Sequence, residues 1–273
     1  MVKNKMTDLE YLNLVMESEF PLDEKYDEKC LQKLKTCTKK ESNVCMDLIR
    51  VYHPSIWRCN VQGHLAPVDA WNDPEIMLKV INNRMKYLNT DILSPLNIRA
   101  GLSISKIAPK VSIFKPALAK YLIQTYLNDY CTIFDPCAGF SGRMLGALSL
   151  NKKYIGQDVN SITVRESNQL ISDLKLPAEI KLKNSLYDSG EYECLFTCPP
   201  YADKKGNMIE IWHQDIEPIG EDEWIETCLK NYKCKAYLFV VGNTERYKDF
   251  IVETLSNKSY FSNKKEFVIF IKA

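Results

Sequence analysis

The sequence predicts an α/β fold in which a mostly parallel, seven-stranded sheet follows a mainly helical N-terminal region. Two observations support this fold class. Beyond residue 110, short apolar runs of strand length alternate with helical patterns, which is typical of a parallel sheet covered by helices. Before residue 100, apolar residues recur at three- and four-residue spacing, which is typical of helices. We therefore expect an accessory domain at residues 1–100 and a larger α/β domain at residues 101–273.

The N-terminal region contains three helical patterns and one irregular segment. Helices are predicted over Asp8–Met16 and Asp27–Ile49. A third begins at Asp73-Pro74-Glu75, where proline suits the first helical turn. Residues 53–67 contain two prolines and a glycine and are predicted to be a loop.

The region beyond residue 110 contains seven candidate strands and five candidate helices. The last two strands are close enough in sequence to form a hairpin, which would add an antiparallel strand near one edge of the sheet. The predicted strands are residues 131–134, 153–156, 179–182, 193–197, 236–241, 259–261 and 266–271. The predicted helices are residues 116–127, 143–150, 161–174, 222–231 and 246–255.

Composition excludes membrane-spanning and secreted classes. The 273-residue chain is 45% hydrophobic and has a formal net charge of +1. No apolar run reaches the roughly 18 residues of a membrane span, and the N-terminus lacks the apolar core of a signal peptide. We therefore expect a cytoplasmic protein with no membrane partner, and the sequence leaves its oligomeric state open.

The ten cysteines are expected to be reduced thiols, because no secretion signal precedes them. One group near the N-terminus raises the question of a zinc site, but its spacing is irregular, whereas structural zinc sites show tight ligand pairs. Buried free thiols are the preferred interpretation, and no metal is expected. The group consists of Cys30, Cys37, Cys45 and Cys59, with His53 and His64 nearby.

A local basic stretch lies at the domain boundary, where residues 92–128 contain no Asp or Glu. Its side chains either meet nucleic-acid phosphates or form an ordinary solvated face. We select Lys106 and Lys110 as nucleic-acid contacts, together with Trp57 from the N-terminal region. The alternative for Trp57 is that it anchors a small core there. The basic residues of the stretch are Arg99, Lys106, Lys110, Lys115 and Lys120.

A glycine-bearing turn joins the first predicted strand to the next helix. The strand ends at Asp135, and the following residues read Pro-Cys-Ala-Gly-Phe-Ser-Gly-Arg. Ligands of open α/β sheets bind at such carboxyl ends of strands. Gly139 would let the backbone approach a ligand without an intervening Cβ, and Gly142 would permit close helix packing. The pattern is neither GxGxxG nor a P-loop.

Two further motifs follow at strand ends. Asp158 ends the second strand, where an acidic residue about 20 positions after a glycine turn can hold ribose hydroxyls; its alternative role is to cap the next helix. Thr197-Cys198-Pro199-Pro200-Tyr201 follows the fourth strand. Consecutive prolines fix the backbone and leave carbonyls free as acceptors, and the tyrosine could stack on a flat base. The alternative is a rigid structural turn.

In this order and spacing, the three motifs resemble those of the S-adenosylmethionine-dependent DNA amino-methyltransferases, which modify adenine N6 or cytosine N4. The family's cofactor motif reads Asp-Pro-Phe-x-Gly-Ser-Gly, and its target motif reads Asp/Asn/Ser-Pro-Pro followed by Tyr, Phe or Trp. Phe114-Lys115-Pro116 resembles the family's Phe-x-Pro motif. The match covers about residues 110–271, and its motif order resembles the γ arrangement.

The resemblance implies a Rossmann-like methyltransferase domain with S-adenosyl-L-methionine as cofactor and DNA as partner. It implies that a base flips out of the duplex and that its amino group is methylated directly. The residues implied to hold the target are Cys198, Pro199, Pro200 and Tyr201. Those implied to contact the cofactor are Phe114, Pro116, Asp135, Pro136, Ala138, Gly139, Gly142, Asp158, Asn184 and Thr197.

Cys198 departs from the family pattern, which has Asp, Asn or Ser at that position. The Ser version is associated with cytosine N4, which favours that base over adenine N6. Three alternatives stay open: an RNA base amino-methyltransferase, a cytosine C5 methyltransferase with Cys198 as nucleophile, and a non-catalytic nucleic-acid-binding subunit. Against the second, the C5 family has proline before its cysteine, whereas here Cys198 precedes Pro199. Residues 1–100 are expected to supply target recognition.

Overall fold

The computed structural model describes residues 7–61, 63–88, 93–199, 210–211, 219–259 and 262–273. Contacts divide the chain into two compact units. The helical unit comprises the described parts of Met1–Leu22, Pro54–Val111 and Glu210–Trp212. The sheet unit comprises the described parts of Asp23–His53, Ser112–Ile209 and His213–Ala273. This division differs from the predicted boundary at residue 100, because residues 23–53 belong to the sheet unit.

Several of the described α-helices begin at caps or prolines that the sequence provides. Thr7 and Glu10 form a reciprocal capping box at the first helix, and Pro95 and Pro116 occupy the first turns of two others. In chain order the helices are α1 (Asp8–Met16), α2 (Cys30–Thr36), α3 (Met46–Tyr52), α4 (Pro67–Trp71), α5 (Pro74–Leu88), α6 (Pro95–Ile104), α7 (Pro116–Tyr126), α8 (Gly142–Ser149), α9 (Ser161–Asp173) and α10 (Glu221–Asn231).

The sheet unit is built on seven strands: β1 (Thr132–Asp135), β2 (Lys153–Asp158), β3 (Ala178–Leu182), β4 (Cys194–Thr197), β5 (Ala236–Val241), β6 (Ile251–Ser259) and β7 (Ser262–Lys272). Their order across the sheet is β6-β7-β5-β4-β1-β2-β3. The neighbours from β5 to β3 pair in parallel, and β7 pairs antiparallel with both β5 and β6. This topology confirms the predicted Rossmann-like α/β fold class.

Short elements complete the described structure. Asn60–Val61 pairs with Glu210–Ile211 inside the helical unit, and Gly190–Glu191 pairs with Tyr232–Lys233 inside the sheet unit. Single 3-10 turns occupy Pro54–Trp57 and Lys248–Phe250. The loop predicted over residues 53–67 therefore contains one of these turns and one of these short strands.

The predicted helix over Asp27–Ile49 is wrong in its middle. The structure has two short helices, α2 and α3, and Cys45 before α3 adopts a left-handed backbone with φ 65°. The residues between the helices form an almost entirely polar run with Ser42 and Asn43, which favour turns. A run with so few apolar side chains gives a continuous helix no apolar face to bury.

The predicted helix over Arg246–Leu255 is also wrong. Apart from the 3-10 turn at Lys248–Phe250, this segment is the start of β6. Its exposure alternates, since Leu255 is buried while Val252 is 46% exposed. Ile251 lies opposite Ile269 of β7 and Thr254 lies opposite Phe267, so β-branched residues of this segment find strand partners. Of the strand predicted at 259–261, Ser259 ends β6 and the other two residues lie outside the described residues.

Each unit has its own core. In the helical unit, residues from α1, α4, α5 and α6 surround Trp71, Met77 and Leu102. In the sheet unit, Phe134 of β1 and Phe239 of β5 pack with residues of α10. This second core supports the carboxyl ends of β1, β4 and β5, where the candidate site lies.

Candidate functional site

Three of the predicted site residues end neighbouring parallel strands. Asp135 ends β1, Asp158 ends β2 and Thr197 ends β4. Strand β1 lies between β2 and β4, and the chain order reverses direction across the sheet at this point. Because the carboxyl ends of parallel strands meet at one edge, the structure brings the three motifs together at a topological switch point, where α/β sheets bind ligands.

Asp158 holds the glycine turn in place. One carboxylate oxygen of Asp158 accepts a hydrogen bond from the Gly139 amide at 2.9 Å, and the other accepts from the Asn160 amide at 3.0 Å. The amide of Ala138 donates to the carbonyl of Gln157 at 2.9 Å. Burial raises the pKa of Asp158, although the bonds from Asn160 and Gly139 oppose the shift. The turn is therefore fixed to the end of β2.

Asp135 is fully buried and its carboxylate is engaged inside the protein. It accepts from Arg143 Nε at 2.6 Å and from the Tyr154 hydroxyl at 2.6 Å. It also accepts from the Cys137 amide at 3.1 Å and from Arg143 Nη2 at 3.4 Å. Four bonds fill the acceptor capacity of a carboxylate. Asp135, predicted as a cofactor contact, therefore acts on the turn itself.

Arg143 completes this cluster on the helix side. Its Nη2 also donates to the Cys137 carbonyl, so the guanidinium joins the start of α8 to the turn before it. Burial, the largest single influence, opposes the charge of Arg143, but the attraction of neighbouring groups, Asp135 first, and the hydrogen bond to Asp135 together outweigh burial and raise the pKa of Arg143. Arg143 therefore keeps its charge, and the turn is fastened from both sides.

The Phe-x-Pro segment lies against the glycine turn. A Cβ at Gly142 would lie 1.8 Å from the Phe114 carbonyl oxygen, so only glycine allows this approach. The Phe114 ring packs edge-on against Phe196, with centroids 5.8 Å apart, and beneath the Arg143 guanidinium at 5.1 Å. Pro116 is buried at the start of α7.

The target motif is described as far as Pro199. The Thr197 side chain is fully buried, and no described residue bonds its hydroxyl. Cys198 is partly exposed, and its Sγ lies 3.9 Å from the Pro199 carbonyl oxygen. The predicted Pro200 and Tyr201 lie outside the described residues.

The remaining predicted cofactor residues are near the same edge. Asn184 follows β3, is half-buried and accepts from the Leu186 amide at 3.0 Å. Pro136 and Ala138 are buried in the turn. Their position in the turn explains their burial. Their contacts with the cofactor stay predictions.

Trp57 is only 5% exposed, and its ring is covered by neighbours of the helical unit. Phe20 lies 5.6 Å from it, and the charged groups of Arg99 and Lys110 lie over it at 4.3 Å and 5.5 Å. This packing fits the alternative interpretation of Trp57 as a core anchor. Lys106 is exposed with a left-handed φ of 61°.

The other basic side chains of the stretch donate hydrogen bonds to backbone carbonyls of the protein. Arg99 donates to the Pro21 carbonyl, and Lys115 donates to the Glu41 carbonyl at 3.0 Å. Lys120 is buried and donates to three backbone carbonyls. Lys120 therefore neither contacts a phosphate nor lies on a solvated face, because these carbonyls enclose its ammonium group.

His53 also lies in this region, although the sequence pointed to it only as a neighbour of the cysteines of a rejected zinc site. It is fully buried at the end of α3. Its Nε2 lies 3.0 Å from the Ser141 hydroxyl of the glycine turn, and its Nδ1 lies 3.2 Å from a Glu166 carboxylate oxygen. No local pattern could have found it, because these partners lie 88 and 113 residues away in sequence.

The described cysteines carry free thiols. In the part of the chain that the structure describes, no three His, Cys, Asp or Glu side chains group in a way that could hold a metal ion. No helix among the described residues combines the length and the apolar character that crossing a membrane requires.

No protein-family model matches the sequence. Solved structures that are similar include one provisionally described as an RNA methyltransferase from Pyrococcus horikoshii, with 11% identity, a TM-score of 0.43, and 57% of this chain and 80% of that chain covered. A provisionally described methyltransferase from Escherichia coli has 14% identity, a TM-score of 0.42 and coverage of 57% and 86%. A Pyrococcus abyssi tRNA (uracil-54, C5)-methyltransferase in complex with S-adenosyl-L-homocysteine has 15% identity, a TM-score of 0.41 and coverage of 56% and 36%.

Proposed function

We propose that this protein is an S-adenosylmethionine-dependent methyltransferase that transfers a methyl group to an exocyclic amino group of a DNA base, cytosine N4 or adenine N6. The observation that carries the proposal is the convergence of the three motifs at the carboxyl ends of β1, β2 and β4. The glycine turn and Thr197–Pro199 are distant in sequence but share one edge of the sheet, so a cofactor and an amine could meet there.

The residues at this edge fit a nucleoside cofactor. Each carboxylate oxygen of Asp158 accepts one hydrogen bond within the protein, so each keeps acceptor capacity for one of two ribose hydroxyls. Thr197 is fully buried and no described residue bonds its hydroxyl, so its cofactor contact stays a prediction. The bound cofactor would supply an electrophilic methyl group on its sulfonium.

The roles of the other residues follow from their positions. Gly139 and Ala138 would present backbone to the cofactor, Phe114 would flank its methionine end, and Asn184 would contact its adenine. Among these, Phe114 has a half-buried ring fixed between Phe196 and Arg143, so it offers a preformed apolar surface. Pro116 would hold Phe114 by starting α7.

Cys198 and Pro199 would position the target amine. The Cys198 sulfur and the Pro199 carbonyl oxygen are 3.9 Å apart, so each could accept one N–H of an amino group. Both hydrogen atoms would then point away from the methyl donor, which leaves the nitrogen lone pair free to attack it. Because sulfur is a weak acceptor, the Pro199 carbonyl would carry more of the orientation. Pro200 and Tyr201 keep their predicted roles of stiffening the motif and stacking on the base.

The experiment that tests this function offers the full-length protein labelled cofactor with duplex DNA or with RNA, and identifies the modified nucleoside by mass spectrometry. We expect N4-methylcytosine or N6-methyladenine from DNA. Methylation of RNA alone would overturn the choice of DNA. 5-Methylcytosine, together with loss of activity in Cys198→Ser, would indicate a covalent mechanism instead. Direct transfer predicts that Cys198→Ser keeps activity within about tenfold, because serine is a better acceptor of similar shape.

A further inference from the structure

A buried polar chain connects the N-terminal segment of the sheet unit to the glycine turn. Glu166 of α9, His53, Ser141 of the turn and Ser167 of α9 contact one another in that order. The distances are 3.2 Å for Glu166 to His53, 3.0 Å for His53 to Ser141, and 3.0 Å for Ser141 to Ser167. His53, Ser141 and Ser167 are fully buried.

A carboxylate only accepts, so Nδ1 of His53 donates to Glu166. A hydroxyl both donates and accepts, so the contacts of Ser141 with Nε2 and with Ser167 can each form in either direction. The His53 ring also packs against the Phe140 ring, with centroids 5.6 Å apart and planes at 75°. His53 is thereby held at both nitrogens and against Phe140.

The order carboxylate, imidazole, hydroxyl is that of a hydrolytic triad, but this chain cannot act as one. Ser141 is 0% exposed, so no substrate reaches its oxygen. That oxygen is also already bonded by both His53 and Ser167. The hydrogen-bond network therefore serves to fix the backbone of the glycine turn.

The backbone at this point needs such support. Ser141 has a left-handed conformation with φ 62°, two residues after Gly139 with φ 55°. A left-handed conformation is unfavourable for a non-glycine residue and persists where surrounding contacts hold it. Ser141 is the N-cap residue of α8, and its carbonyl accepts a hydrogen bond from the Leu145 amide at 3.0 Å. The conformation of Ser141 thus sets the position of the Ala138–Gly139 backbone before it and of Gly142, which contacts Phe114, after it.

We propose that His53 is a positioning residue, which holds the glycine turn in its ligand-binding conformation through Ser141. The proposal rests on the proposed function in one respect, namely that the ligand of the turn is the cofactor. It makes the segment 23–53 part of the cofactor-binding machinery, although this segment precedes every recognised motif.

Two conservative variants separate the two nitrogens of His53. The amide of His53→Gln reaches the place of Nε2 and can keep the bond to Ser141, whereas that of His53→Asn reaches the place of Nδ1 and keeps only the bond to Glu166. We expect His53→Gln to bind S-adenosylhomocysteine within about threefold of the unmodified protein. Loss of a buried hydrogen bond predicts about tenfold weaker binding for His53→Asn and for Ser141→Ala.

Calorimetric titration of the full-length variants measures these affinities, and the double variant His53→Asn/Ser141→Ala should be no weaker than either single one. His64→Asn, at an exposed histidine of the helical unit, is the matched control. Equal affinities for His53→Asn and the unmodified protein would overturn the proposal. If the unmodified protein itself does not bind, the proposed function fails instead.

Hydrogen exchange of the ligand-free protein tests the positioning role without any cofactor. We expect faster exchange in peptides that cover residues 136–143 for His53→Asn, with unchanged exchange there for His53→Gln and His64→Asn. Faster exchange across the whole sheet unit would show that His53 only stabilises the fold, and would contradict a role specific to the turn.

Discussion

At the scale of single residues, the contact between Gly142 and Phe114 is the most demanding in the site. The Cα of Gly142 faces the Phe114 carbonyl oxygen so closely that a methyl group there would lie 1.8 Å from it. Both atoms belong to backbone, so neither can rotate away. The turn and the Phe-x-Pro segment must therefore separate if any other residue replaces Gly142.

Replacing Gly142 by alanine should weaken cofactor binding by at least tenfold and lower the free energy of unfolding by about 2–4 kcal/mol, as overpacking against fixed backbone does. Gly220→Ala is the control, because its Cβ would meet nothing closer than Glu223 Oε2 at 3.7 Å. Calorimetry and urea denaturation measure both effects. Equal stability of the two variants would show that the Phe114 segment yields easily.

Glu221 is a buried carboxyl group near the carboxyl end of β5, and the cost of its ionisation can be measured. It lies at the start of α10 and accepts from the Asn243 amide at 2.7 Å. Burial raises the pKa of Glu221 to about 7, against the lowering effect of the bonds from Asn243 and Gly242. The folded state thus disfavours the ionised form. The penalty is absent below the ordinary pKa, grows as the pH rises towards 7, and is constant above it.

Glu221→Gln should therefore gain stability relative to the unmodified protein as the pH rises from 5 to 8, by up to about 3 kcal/mol. Glutamine keeps an acceptor for Asn243 but does not ionise. Urea denaturation at the two pH values measures the difference. Glu223→Gln, at an exposed position on the same helical turn, should show no such gain, and a gain of similar size there would assign the effect to the helix terminus.

Which site residues were predictable depends on where their partners lie. Asp135, Asp158 and Thr197 follow apolar strands, and the ends of parallel strands meet at one edge, so their convergence followed from the sequence. The filling of all acceptor positions of Asp135 by Arg143, Tyr154 and Cys137 did not. The contacts of His53 could not be predicted from the sequence either, because they depend on tertiary packing alone.

At the scale of elements, Lys120 of α7 acts as the C-terminal cap of α2. Its ammonium group donates to the carbonyls of Leu34 at 3.0 Å, Lys35 at 2.6 Å and Cys37 at 2.9 Å. The last carbonyls of a helix lack partners within it, and positive charge is favourable there. One side chain therefore fastens α2 to α7.

Lys120→Met keeps the apolar stem and removes the donor, so we expect the free energy of unfolding to fall by about 2–4 kcal/mol, because buried carbonyls lose their partner. Lys115→Met, which removes a single bond to the Glu41 carbonyl, should cost less than about 1 kcal/mol. Urea denaturation compares the two. A similar small loss for both would mean that water replaces the ammonium group of Lys120.

The same scale explains the two wrongly predicted helices. Strands β1, β2, β4 and β5 are short apolar runs that end at turns, and their local pattern decides their structure. Residues 251–259 have a pattern compatible with either state, and the pairing with β7 selects the strand. The segment around residue 40 has few apolar side chains and contains Ser42 and Asn43, which favour turns, so it continues neither α2 nor α3.

At the scale of the whole molecule, the chain is interleaved between its two units. It leaves the helical unit at residue 22, contributes residues 23–53 to the sheet unit, and returns for residues 54–111. It enters the helical unit again at Glu210–Ile211, after the target motif, to pair with Asn60–Val61. A sequence-based boundary assumes contiguous domains, so it could not place residues 23–53.

This interleaving predicts opposite outcomes for two N-terminal truncations. Removing residues 1–22 takes α1 from the helical unit, where Tyr11 and Val15 belong to the core, and leaves the contacts within the sheet unit intact. Removing residues 1–53 also takes His53 from Ser141, the three carbonyls from Lys120, and Lys40 from Glu253, a contact of 2.7 Å. Buried charged groups would then lack their partners, which is strongly destabilising.

We therefore expect the protein without residues 1–22 to bind S-adenosylhomocysteine within about threefold of the full chain, and the protein without residues 1–53 to lose binding and cooperative unfolding together. Calorimetry measures the first property and thermal denaturation the second. Retention of full affinity after removal of residues 1–53 would show that the sheet and its three strand ends form the site unaided. Loss of binding after removal of residues 1–22 would place part of the site in the helical unit, which is also where target recognition is predicted to lie.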